Sequence, residues 1–127
     1  MPTIVAANES QVLLDGTPVE GVRAIEYRHQ QARSSVYALG SAERIGMVSG
    51  PQVVEGALRV ASTNATLNGL PVDQAFQLTA QLKHGAATVT VTFDECYLAE
   101  KSFGLSVGEF GEATYRFTAT RVREEVA

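Results

Sequence analysis

The chain has 127 residues, with ten Lys and Arg against 14 Asp and Glu, and a net charge of −4 at pH 7. This length fits one domain with a single hydrophobic core that needs neither a metal nor a disulfide for stability. The acidic balance argues against a phosphate-binding surface, and the one cysteine excludes an intramolecular disulfide and a cysteine-based metal cluster.

The first predicted element is a hairpin. Before it, the segment MPTIVAANESQ has no basic start and only a short apolar run, so it matches neither a signal peptide nor a membrane span. Asp15-Gly16 then lies between two apolar stretches, which is a strong signal for a tight hairpin turn. The following segment, VRAIEYR, has no wholly polar face and is typical of a strand that is covered on both sides.

A long segment with several glycines comes next, from Arg28 to Pro51. Its first part, RHQQAR, fits an exposed loop or the solvated part of an extended hairpin. We predict two short strands further on, Val36–Leu39 and Arg44–Val48, within an arm of about residues 28–51. Three glycines divide the segment into pieces too short for a helix: Gly40, Gly46 and Gly50.

The clearest alternation of apolar and polar residues lies in the second half of the chain. QVVEGALRVAS predicts a strand in which Gly56 indicates a bulge or the close approach of another backbone. Asn64–Ala75 fits a loop with a short helix. FQLTAQL and ATVTVTFDECYL predict two strands around a turn, and GEATYRFTATR predicts a final strand that is followed by a charged tail, Arg123 to Glu125.

Few side chains could carry catalysis or bind a metal. His29 and His84 lie in exposed segments without metal-binding spacing. Cys96 has no histidine near it in sequence, so we expect a partly buried, inert thiol. Asp94 and Glu95 are adjacent, so on a strand they point to opposite faces and would mark a solvated strand end. The sequence therefore predicts no catalytic residues, no cofactor and no metal.

The order of these segments resembles that of the tail tube proteins of tailed bacteriophages and the inner-tube proteins of related contractile injection systems. The resemblance spans about Val12 to Arg121. It rests on GVRAIEYRHQQARSSVYALGSAERIGMVSGPQVVEGALRV, FQLTAQLKHGAATVTVTFDECYLAEKSF and GEATYRFTATR. It implies one domain over residues 1–127 with a mainly β fold: a sandwich or barrel of two packed antiparallel sheets, one short helix and a long extended hairpin arm.

The resemblance also implies a function. Proteins of this family self-assemble into hexameric rings that stack as a tube, and DNA or effector proteins pass through the channel. For this chain it implies a structural virion protein of the phage tail, made in the host bacterial cytoplasm, that is not an enzyme and has no membrane partner. Sheath, tape-measure and baseplate proteins are the further partners that it suggests.

Within the arm, we expect Glu43 to face the channel with Gln31 near it, and Arg44 to pair with a neighbouring subunit. We expect four glycines to serve strand geometry and assembly: Gly40, Gly46, Gly50 and Gly56.

Other functions remain open from the sequence. A tube-terminating or baseplate protein could have the same fold. A monomeric Ig-like binding module is another alternative, although the absence of Trp argues against a sugar-binding surface. A small β-barrel enzyme is disfavoured because His, Cys and carboxylate residues are not clustered in the sequence.

Overall fold

The computed structural model describes residues 6–71 and 73–126. The first five residues of the N-terminal segment considered above lie outside this part. The described residues form, in chain order, β1 (Ala6–Leu14), β2 (Thr17–Pro18), β3 (Val22–Val36), β4 (Gly46–Ala61), α1 (Ala65–Asn68), β5 (Phe76–His84), β6 (Ala87–Gly104), β7 (Glu112–Ala119) and β8 (Arg121–Val126).

All strand pairs are antiparallel, and they form two sheets that share β6. Sheet A has the order β2-β1-β5-β6-β8, and sheet B has the order β6-β7-β4-β3. The change from one sheet to the other falls at a bulge in β6, where Glu95 has a φ of 50°. A bulge bends its strand, which allows the two sheets to face each other.

One hydrophobic core lies between the two sheets. Its centre is the fully buried ring of Phe93, which makes edge-to-face contacts with Tyr27 at 5.1 Å and with Phe117 at 5.2 Å between ring centroids. The helix α1 is attached to this core by Leu67, which is buried, and by Asn64, whose side chain caps the helix by accepting from the Leu67 N–H. The predicted fold, two packed antiparallel sheets with one short helix, is confirmed.

The predicted turn at Asp15-Gly16 is also confirmed. It joins β1 to β2, and both residues have positive φ angles, 49° and 85°. Such angles are required by the type I′ turns that match the twist of a hairpin.

The long hairpin arm is present, but the two short strands predicted within it, Val36–Leu39 and Arg44–Val48, are wrong. Within the arm, β3 and β4 pair continuously apart from one register shift, and only residues 37–45 form the tip. The shift lies between Gln31 and Arg33, opposite Gly50 and Pro51. A proline cannot donate a ladder hydrogen bond, and this irregularity accommodates it within the strand.

The charged tail predicted after the last strand is a strand as well. β8 pairs with the first half of β6, from Asp94↔Arg121 to Val89↔Val126. Arg121 and Arg123 flank Val122, which packs against the core. The strand is short and rich in charge, so its composition alone favoured a tail.

Candidate assembly surfaces

Sheet B has an unpaired edge along β6. β5 and β8 both pair with residues 89–93 of β6, so they occupy its opposite edges. β7 continues into β8 through Thr120, whose N–H donates to the Asp94 carbonyl at 3.0 Å, so β7 lies on the same edge as β8. Within the described chain, the other edge of β6 therefore has no partner strand from Leu98 to Gly104.

Sheet B has a second unpaired edge along β3, which pairs only with β4 in the described chain. Because the four strands alternate in direction, β3 and β6 run in opposite directions. A second copy that places its β6 against β3 would therefore continue the antiparallel pattern. Long unpaired edges are templates for pairing with another chain, and sheet B offers one on each side.

The outer face of sheet B, which points away from the core, carries balanced charge. Four ion pairs lie on it: Arg28 with Glu55 at 2.8 Å, Arg23 with Glu112 at 3.0 Å, Arg59 with Glu112 at 3.6 Å and Arg116 with Glu100 at 4.0 Å. Glu26 lies on the same face, across the small Ala57 from Arg116. These four arginines and four glutamates give the face no net formal charge.

The ion pairs of this face lie at a solvent-exposed surface. Exposed pairs typically contribute only about 0 to 1 kcal/mol each to stability. Their main effect is on the electrostatic potential, because they cancel the field of an otherwise highly charged sheet.

The structure places the predicted arm residues at different distances from the tip of the arm. The Gln31 side chain lies near the base of the arm and donates to the Gly50 carbonyl. Glu43 and Arg44 lie in the exposed tip, where the Ser41 hydroxyl donates to the Glu43 carbonyl at 2.9 Å. The strand from Gln31 to Val36 separates Gln31 from the tip by about 16 Å. Gln31 and Glu43 are therefore not brought together within one chain.

The predicted glycines occupy four different environments. Gly40 has a φ of 82° in the tip, where L side chains are strained, and Gly46 has open space around it. A Cβ on Gly50 would lie 3.1 Å from the Ala32 Cβ. A Cβ on Gly56 would lie 2.5 Å from the Phe117 ring and 2.8 Å from the Glu26 carbonyl oxygen. β4 has no bulge at Gly56, so close approach is the feature found there.

Exposed apolar side chains are concentrated in two regions. One is the outer part of the arm, and the other is the end of β6 with the loop that follows it. This second region was missed by the sequence analysis, although its spacing of large apolar residues among glycines was a visible signal. The side chains are Val36, Tyr37, Leu39, Ile45, Met47 and Val48 in the arm, and Phe103, Leu105, Val107 and Phe110 in the loop region. Exposed apolar patches mark interaction sites.

The sequence predicted that Asp94 marks a solvated strand end, and this prediction is wrong. The bulge places its carboxylate beside β8, where Arg123 donates to it at 2.9 and 3.1 Å and Arg121 at 2.9 Å, and Gln77 of β5 donates at 3.1 Å. The hydrogen bonds from Arg123 and Gln77 hold the pKa of Asp94 at about 2. The Glu95 carboxylate is separated from this cluster and accepts from Thr120.

Cys96 and His29 were also considered from the sequence for catalysis or metal binding. Cys96 is fully buried, burial raises the pKa of its thiol to about 12, and its Sγ donates to the Phe93 carbonyl. His29 is exposed and lies 3.1 Å from the Gln52 amide oxygen. Within residues 6–71 and 73–126, no cluster of three His, Cys, Asp or Glu side chains could hold a metal. No helix in this part is long and apolar enough to cross a membrane.

No family model matches the sequence, and no curated protein matches it. Solved structures do match. The tube-terminating cap of the anti-feeding prophage is 13% identical, with a TM-score of 0.72 over 100% of this chain and 94% of that chain. The sheath–tube complex of PVC, an extracellular contractile injection system, is 10% identical, with a TM-score of 0.72 over 98% and 93%. The SPP1 tail tube is 8% identical, with a TM-score of 0.71 over 98% and 80%. The chain thus has the fold of tail tube proteins.

Proposed function

We propose that this protein is a structural component of a phage tail or a related particle, and that its copies assemble into hexameric rings that stack as a tube. In this proposal sheet B lines the channel and sheet A faces outward. The protein has no enzymatic role. It resides in the virion tail after synthesis in the cytoplasm of the bacterial host, and DNA passes through the channel without specific binding.

The observation that carries the proposal is the pair of unpaired edges on sheet B. The β3 edge of one copy and the Leu98–Gly104 edge of the next can pair antiparallel, and the same contact repeats around a ring. Such a head-to-tail contact produces a closed ring when the rotation between copies closes. Closure removes both edges, which is the way barrels avoid uncontrolled aggregation.

The charge pattern of sheet B fits a channel wall. An excess of arginine would retain DNA by releasing counterions from its phosphates. The outer face of sheet B instead pairs each arginine with a carboxylate. A wall without net charge would let a polyanion slide. We assign Glu43, Gln31 and Arg44 of the arm to the same channel.

A second candidate function, that of a tube terminator, is supported by the comparisons. The match to a tube-terminating cap has the same TM-score as the match to the sheath–tube complex. A terminator would form single rings that do not stack. Contacts with sheath, tape-measure and baseplate proteins belong to either function.

Electron microscopy of the purified protein at increasing concentration tests the proposal. We expect rings of uniform diameter, and stacked tubes if the protein forms the tube itself. Uniform single rings at every concentration would favour the terminator. A protein that stays monomeric at millimolar concentration would contradict both.

Limited proteolysis of the same samples provides an independent measure. The outer arm has exposed side chains and no cover within the described chain, so cleavage of free subunits is expected first at residues 37–45. The same bonds should resist cleavage after assembly. Equal cleavage of the arm in free and assembled protein would argue against its assignment to the channel.

A further inference from the structure

An apolar groove opens beside the free edge of β3, between that strand and the inner face of sheet A. Its volume is about 600 Å³. Its apolar walls come from both sheets: Val12, Ala80, Leu82 and Val91 from sheet A, and Ile25 and Tyr27 from β3. The groove exists because β1 and β3 do not pair, so the sandwich is open on this side.

The opposite edge of sheet B carries an uncovered aromatic side chain. Phe103 lies on the core-facing side of β6, since its cross-strand partner Ala113 is fully buried. One part of its ring lies over Gly111, where an added Cβ would be 2.7 Å away. The side chain is nevertheless 56% exposed. An aromatic residue on the core-facing side of a sheet that is more than half exposed indicates a contact with another chain.

The groove and Phe103 lie at the same height along the strands of sheet B. The cross-strand pairs form a row that begins at Phe103, continues through Ala113 and Val60, and ends at Val22 in the wall of the groove. A second row begins at Leu98 and ends at Tyr27, also in the groove. When β6 of one copy pairs with β3 of the next in the register that continues both rows, the core-facing side chains of β6 lie on the side where the groove opens.

We propose that the groove beside β3 receives the Phe103 side chain of a second copy of this chain, and that this contact fixes the position of each subunit in the ring. The inference rests on the proposed function, since it requires the edge-to-edge contact. It adds a specific contact to the pairing of backbones. Edge pairing alone specifies register weakly, because a strand can slip, whereas an aromatic ring seated in an apolar pocket specifies one position.

Crosslinking between two singly substituted chains tests this contact. Leu82→Cys lies in the groove, and Phe103→Cys replaces the inserted side chain. The two proteins are mixed, assembled and treated with a short bis-maleimide. Cys96 contributes little background because it is fully buried. We expect a dimer that contains one chain of each kind, which a crosslink within one chain cannot produce.

The matched control replaces the preceding residue of β5, Gln81→Cys, which lies on the other face of the strand. We expect it to crosslink to Phe103→Cys at most a tenth as efficiently. Rings that form without the Leu82–Phe103 crosslink, or with equal crosslinking from position 81, would overturn the inference and leave the proposed function intact. Failure of the unsubstituted protein to form rings would overturn both.

A second measurement compares Phe103→Ala with Val126→Ala, which removes an exposed apolar side chain from β8 of sheet A, outside the proposed contact. Phe103→Ala should raise the protein concentration needed for ring formation about tenfold or more, which corresponds to the loss of an apolar contact of this size. Val126→Ala should leave it unchanged. The melting temperature of the free subunits shows whether each variant is folded. Equal assembly of two folded variants would contradict the inference.

Discussion

Gly56 shows how one residue can be required by close packing rather than by backbone conformation. Its neighbours on both sides, Tyr27 of β3 and Phe117 of β7, are in regular register. The Phe117 ring covers the glycine and is itself held by Phe93. The ring is almost fully buried and cannot move aside without disturbing the core.

We predict that Gly56→Ala lowers the free energy of unfolding by about 1 to 3 kcal/mol, the range for overpacking in a core. The added Cβ would meet both the Phe117 ring and a backbone oxygen at less than 3 Å. Gly46→Ala is the matched control, since nothing lies within 4 Å of its Cβ position, and it should be nearly neutral. Chemical denaturation of both variants measures the difference, and a value near zero for both would refute the packing argument.

At the scale of secondary-structure elements, a single carboxylate supports β8 in addition to its backbone pairing with β6. Asp94 lies at the bulge of β6 and receives hydrogen bonds from Arg121 and Arg123 of β8 and from Gln77 of β5. It therefore joins three strands at the point where β6 changes sheets. The arginine side chains are about half exposed or more, so solvent screens part of this interaction.

The depressed pKa of Asp94 predicts a specific pH dependence of stability. Because the folded-state pKa is about 2 and the ordinary value is 3.8, the stabilisation is fully present above about pH 4 and is lost as the pH falls toward 2. Asp94→Asn should lower the free energy of unfolding by about 1 kcal/mol at pH 7. The difference between the two proteins should shrink between pH 4 and pH 2. A difference that stays constant across this range in denaturation experiments would show that the charge of Asp94 is not responsible.

At the scale of the whole molecule, the two sheets have different tasks in the proposed assembly. Sheet A completes the core, while sheet B presents its outer face and both of its free edges to other molecules. Every charge on a channel wall is repeated in each subunit of a ring, so one substitution changes the field that the cargo meets several times over.

We predict that Glu43→Lys in the arm slows DNA delivery by particles that carry it, while tubes still assemble. The substitution replaces a negative by a positive charge in every subunit, which would retain phosphates, and the defect should therefore ease at higher salt. Glu125→Lys makes the same change of charge on β8 of sheet A, away from the proposed channel, and should have no effect. If both variants deliver DNA at the normal rate in low salt, Glu43 does not face the channel.

The sequence by itself determined the mainly β fold, most of the strands, the first hairpin turn, the short helix and the presence of a long hairpin. These features depend on local patterns: alternation along a strand, and a turn that needs positive φ angles at two neighbouring residues. The same local evidence led to the resemblance to tail tube proteins. It also indicated close approach at Gly56, although it could not name Phe117 as the neighbour.

Only the tertiary structure decided which edges are free, which charges share a face and which apolar side chains lack cover. These properties depend on the pairing of strands far apart in the chain, such as the pairing of Asp94 with Arg121. They also depend on the bulge at Glu95, a non-glycine residue with a positive φ angle. Alternation along one strand shows that two faces exist, but not which neighbour lies beside each residue. The free edges, the balanced outer face of sheet B and the groove opposite Phe103 arise from this non-local register, because a shift of one residue would turn every side chain of a strand to the other face.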